Sequence, residues 1–217
     1  MINIMIALTK IPYNQDIIFV LVFVSLFLLS LIRGIYWKHA RLFFMGVFAQ
    51  RYANQYLREE NAFTARVNFL TFLLMSLNIT LIIVKFENLL SLPQISLVYF
   101  FVVAFFLLKI LVIKSLGFLF KVNDLAKLAI FFSFLFDKTL GFLLSPLVIL
   151  IYFFTFDISS EVLFFSFGLF ILLLFMKLFW LRKIGINLFG LSPSYIFLYL
   201  CILEIFPLLL LAKGVFY

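Results

Sequence analysis

Of the 217 residues in this chain, Glu204 is the one whose type fits its surroundings least. It stands eleven positions after Pro193, near the middle of an apolar run over 194–212, where a short glutamate stem reaches neither end. An ionised carboxylate inside hydrocarbon costs several kcal/mol unless it is paired or protonated. Cys201, Pro207 and Leu208 share its helical face, and Pro207 removes the amide that would bond the carbonyl of Leu203. The expected result is a kink with a free carbonyl beside a buried acid. Such a site can hold a cation or a proton, or it can lock two helices together. No second carboxylate accompanies Glu204 within a span on this reading, so Lys109 and then Lys177 are its candidate partners. Both lysines lie about 6 to 8 Å inside the ends of their apolar runs, close enough to snorkel outward instead.

Other chemistry is thin. One cysteine and one histidine, Cys201 and His39, make neither a disulfide framework nor a Cys/His zinc site, and no metal or cofactor is expected. The run GINLFG at 185–190 lacks the Gly-Lys-Ser/Thr of a phosphate loop, and no Gly-x-Ser-x-Gly elbow occurs. With no complete catalytic constellation, the chain reads as a non-enzyme.

The elements that must position these residues follow from composition. Hydrophobic types make up 67% of the chain and charged types 12%, with 34 phenylalanines, against about 25% charged in a soluble domain. The apolar residues arrive in runs long enough to cross about 30 Å of hydrocarbon. Six spans are predicted, at about 17–35, 68–86, 96–113, 140–156, 162–180 and 194–212. The expected fold is therefore all-α, a single polytopic membrane bundle over 1–217. The first sixteen residues lack a basic leader and a small-residue cleavage site, so the first run is expected to remain as an anchor. Asp137 and Lys138 interrupt the apolar stretch before 140, and 125–136 reads as a short interfacial or re-entrant helix; a seventh span is the alternative.

Orientation follows from lysine and arginine, which cytoplasmic loops retain. Under strict alternation of six spans, 14 of the 17 fall on one side and only Lys10, Lys85 and Lys213 on the other. Both termini are then expected outside the cytoplasm. The net charge of +8 becomes a topology signal and a match to anionic lipid headgroups, not a nucleic-acid footprint. Trp37 and Trp180 fall at the same inner boundary, as does His39.

The longest polar segment, 38–66, lies on that cytoplasmic side. Phe44, Phe48, Tyr52 and Tyr56 recur every four residues as one aromatic stripe, with Arg51, Asn54, Arg58 and Glu59 elsewhere around the helix. The spacing predicts an amphipathic helix along the inner surface, serving as an anchor or as a docking face for another protein.

The last span contains Tyr199-Leu200-Cys201-Ile202-Leu203-Glu204-Ile205-Phe206-Pro207. This YLCxLEIxP run resembles the terminal signature of an uncharacterised membrane-protein family of Bacteroidota. An Arg-Tyr-x-x-x-Tyr segment at 51–56, Lys109 with Lys114, and Leu144-Ser145-Pro146 extend the resemblance over most of the chain. The resemblance implies a Gram-negative inner membrane and supplies no activity or catalytic residues.

Two functions remain in view. One is a non-enzymatic partner or assembly subunit of an envelope complex for secretion, motility or envelope biogenesis, docking through the aromatic segment. The other is a small transporter or lipid-handling permease built on Glu204.

Overall fold

The computed structural model describes residues 15–59, 61–87, 91–119, 121, 123–153 and 159–189. Seven helices occur in this part of the chain, and it contains no strand. They are α1 (Gln15–Gly34), α2 (Trp37–Met45), α3 (Gln50–Arg58), α4 (Ala62–Phe86), α5 (Leu92–Leu119), α6 (Asn123–Phe153) and α7 (Ser159–Phe189).

Among the described residues, four stretches are long and apolar enough to cross a membrane: Asp16–Gly34, Ala62–Phe86, Leu92–Leu119 and Ala126–Phe153. A shorter apolar stretch, Phe164–Trp180, lies in α7. The chain is thus a multi-pass helical protein by length and composition. The predicted sixth span at 194–212 lies outside the described residues. Apolar side chains turned outward on α5, among them Phe100, Phe101, Leu107, Leu108, Leu111 and Phe118, are what a helix bathed in lipid exposes.

The largest departure from the sequence reading is α6. Residues 125–136 and 140–156 were expected as two elements, yet one helix of 31 residues runs through Asp137 and Lys138. The interruption in hydropathy is no interruption in backbone, because both side chains find partners inside the bundle (below). Buried residues make up 61% of the apolar window of α6, against 22% in α5, so α6 is the axis and α5 a flank. Pro146 sits within α6, where its missing N–H leaves the carbonyl of Phe142 without the usual helical donor.

Two close approaches fix the packing. A Cβ on Gly141 of α6 would lie 2.4 Å from the Cα of Met75 on α4, so only glycine lets those backbones meet. Beside that contact Asn78 of α4 joins three helices. Its Oδ1 accepts from Ser25 Oγ of α1 at 2.6 Å, and its Nδ2 donates to Gly141 O at 2.8 Å and Ser145 Oγ at 2.9 Å. With no water in hydrocarbon to compete, such a node specifies which helix faces meet. Higher up, the Tyr152 hydroxyl donates to the Leu81 carbonyl at 2.7 Å, a further tie between α6 and α4.

The segment 38–66 is also corrected. It is not one helix but α2, a turn, α3 and the first turn of α4. Ala49 is extended at the start of α3, and Gly46 lies against Ala53, where an added Cβ would come within 3.2 Å. The chain therefore folds back on itself at 46–49 instead of continuing along the surface. α4 then opens with a capping box. The Asn61 side chain accepts from the amides of Phe63 and Thr64, while Thr64 Oγ1 accepts from the Asn61 amide at 2.9 Å. This cap starts α4 six residues before the predicted span.

Candidate functional site

Charge inside the bundle collects on α6. Asp137 lies about 16 Å along the axis from Ala126 and about 24 Å from Phe153, at 1.5 Å per residue, well within the helix. Its Oδ1 accepts from Lys177 Nζ of α7 at 2.8 Å and its Oδ2 from Lys109 Nζ of α5 at 3.2 Å. One carboxylate thus takes a charge-assisted hydrogen bond on each oxygen from a different neighbouring helix. Both lysines are buried. Lys109 also lies 5.8 Å from the ring centre of Phe134, one turn before Asp137 on α6.

Lys138 follows directly, about 100° further around the helix, and so points elsewhere. Its Nζ donates to Asn68 Oδ1 of α4 at 3.1 Å and sits 5.7 Å from the ring of Phe43 on α2 and 5.9 Å from Phe134. Two adjacent charged residues therefore tie α6 to α5 and α7 on one side and to α4 and α2 on the other. Removing one partner of such a pair strands a buried charge, at a cost of about 3 to 5 kcal/mol.

A small cavity of about 50 Å³ opens against the three-helix centre, bounded by Lys109, Asp137 and Lys177 and closed by Phe105, Phe170 and Leu174. That volume admits one or two waters, with the charged groups as hydrogen-bond partners. Among the described residues two ammonium groups flank one carboxylate here, and no cluster of His, Cys, Asp or Glu could hold a metal ion.

The outcome for the sequence-predicted residues divides. Glu204, Cys201 and Pro207 lie outside the described residues. Lys109 and Lys177, expected to snorkel to the boundary or to turn toward Glu204, turn inward onto Asp137; the expected pairing with Glu204 falls outside the described residues. Asp137 is accordingly an acid well inside a helix, which the sequence reading did not expect. Asp137 was missed because splitting 125–156 into two elements put it in a connection; the signal was present as an acid beside a lysine within one long apolar stretch.

The aromatic stripe does not survive as one surface. Phe44 packs on Phe142 with ring centroids 4.3 Å apart, Phe48 stands exposed in the turn, and Tyr52 is exposed on α3. Tyr56 is buried against Phe43 and Phe131, and its hydroxyl donates to the Thr64 carbonyl at 3.0 Å. Burial pushes the Tyr56 phenol well above its ordinary pKa, so it stays a neutral donor. The division arises because the turn at 46–49 rotates α3 relative to α2. What remains outward is a cationic and aromatic face: Arg51, Tyr52 and Arg58 on α3, with Phe48 beside them. Of the boundary aromatics, Trp37 is exposed and carries Arg33 over its ring at 5.8 Å, whereas Trp180 packs into the bundle against Phe132 and Phe136.

The family model described as a domain of unknown function (DUF4271) matches residues 18–215, nearly the whole chain. The protein belongs to that family. No curated protein and no solved structure matches it.

Proposed function

We propose that this chain is a non-enzymatic subunit of an envelope complex, for secretion, motility or envelope biogenesis, in the inner membrane of a Gram-negative bacterium of the Bacteroidota. The observation that supports this reading is the outward face of α3. Tyr56 and Ala53 are buried and hold α3 against the bundle, which leaves Arg51, Tyr52 and Arg58 displayed beside Phe48. Aromatic and arginine side chains presented together by a held helix are the composition of a docking surface for an acidic partner.

The charge bias supports a cytoplasmic position for that face. Lys109, Lys138 and Lys177 are buried in the bundle, so they leave the loop count, and 14 − 3 gives 11 against 3. The asymmetry persists, and under six spans it supports both ends of the chain on the periplasmic side. Anionic headgroups are the lipid partners of the same inner face.

The test is a gently solubilised native membrane. A stoichiometric protein partner should co-purify, leave as ionic strength rises, and be lost from an Arg51→Glu, Arg58→Glu double variant that still inserts and melts like the parent. Recovery of the chain alone under these conditions contradicts the proposal.

A second reading, a small transporter or lipid-handling permease, draws on the Lys109–Asp137–Lys177 centre, since ionisable groups in a bilayer commonly mark ion or substrate pathways. Glu204 is the further acid this reading uses.

A further inference from the structure

We infer that a groove between the end of α1 and the start of α4 is a binding site for an anionic phospholipid. The groove has a volume of about 380 Å³ and is lined by Tyr36, Ala65, Arg66, Phe69 and Leu70. Its chemistry changes over one helical turn. Arg66 lies in the second turn of α4 and is exposed, and Phe69 and Leu70 follow one turn, about 5 Å, further along the span. Phe69 is 62% exposed. A cation at one level and an uncovered apolar wall one turn deeper match the phosphate and the upper acyl chain of a single lipid.

The polar groups are poised for a phosphate. The Arg66 guanidinium sits 5.9 Å from the Phe63 ring, and Tyr36 leans on the same ring with centroids 6.4 Å apart. Among the described residues neither the guanidinium nor the Tyr36 hydroxyl makes a side-chain hydrogen bond. His39 also stacks on Phe63 at 5.7 Å, so the ring beside Arg66 is itself held. A guanidinium offers a planar fork to two phosphate oxygens, and a phenol at the interface adds a third donor. Basic pockets between spanning helices are a recurrent form of headgroup recognition. The occupant is a lipid and not a free phosphate, because three of the five lining residues, Ala65, Phe69 and Leu70, are apolar. The inference rests on the membrane reading alone, so it can fail while the protein-partner proposal stands, and the reverse.

The experiment uses the purified full chain in nanodiscs containing equal phosphatidylglycerol and phosphatidylcholine, followed by release and native mass spectrometry of retained lipid. The wild type should keep phosphatidylglycerol over phosphatidylcholine by about fivefold, the factor one cationic side chain near a charged surface supplies. Arg66→Gln should reduce this to parity, and Ala65→Trp, which fills the groove without altering charge, should remove the retained lipid. Arg51→Gln, outside the groove, should behave as wild type. Thermal unfolding in detergent identifies which variants are folded. Equal retention of both lipids by the wild type overturns the inference. So does wild-type preference in a folded Arg66→Gln or Ala65→Trp, or displacement of the lipid by excess soluble glycerol phosphate.

Discussion

A single carboxylate, Asp137, receives two ammonium groups from two other helices, and its replacement separates structure from use. Asp137→Leu leaves Lys109 and Lys177 buried without it, and should lower stability in detergent by about 3 to 5 kcal/mol. Replacing all three, as Lys109→Met, Asp137→Leu and Lys177→Met, removes the charges of the centre together and should restore most of that loss. Rescue of a deletion strain by a stable triple variant identifies the centre as a lock. A stable triple variant that fails to rescue shows that its charge is used. If Asp137→Leu melts with the wild type, the centre is no lock at all. At this scale the sequence was partly legible. Lys109 and Lys177 stand out as cations within apolar runs, because few lysines occur there without reason. Asp137 did not, since an acid next to a lysine reads as a loop until the neighbouring helices are known to supply partners. Glu204, the residue the sequence singles out first, lies outside the described residues.

Helices are positioned by small and polar residues more than by the phenylalanines that dominate the composition. Among the described glycines Gly141→Ala should be the most disruptive change, because its Cβ would fall 2.4 Å from the Cα of Met75, and backbone does not give way as a side-chain tip does. We expect a loss of about 1 to 3 kcal/mol, read as a lower unfolding temperature in detergent. Gly34→Ala, where nothing lies within 4 Å, should be silent by comparison. Equal behaviour of the two variants contradicts the close packing of α4 on α6. Existence of the spans followed from hydropathy, since runs such as 17–35 and 96–113 have no polar alternative. Their ends and continuity did not. α6 was divided at Asp137 because hydropathy weighs a charge without knowing its partner, and 38–66 was joined because a four-residue period ignores the fold-back at Gly46 and Ala53.

For the molecule as a whole, the spans, the displayed face of α3 and the groove beside Arg66 belong to one proposed frame, in which the segment from α2 to the start of α4 faces the cytoplasm. The Lys/Arg asymmetry supports that frame on sequence grounds, and it survives removal of the three buried lysines. The docking proposal fails if the frame is inverted, because a cytoplasmic partner could not reach Arg51 or Arg58. Cys201 is the sole cysteine in the chain, so Cys201→Ser gives a clean background for a single reporter thiol. The decisive measurement is labelling of Arg58→Cys, in that background, by a membrane-impermeant maleimide in intact spheroplasts and again after permeabilisation. The account predicts no labelling until the membrane is opened and full labelling afterwards. Full labelling of intact spheroplasts would contradict it.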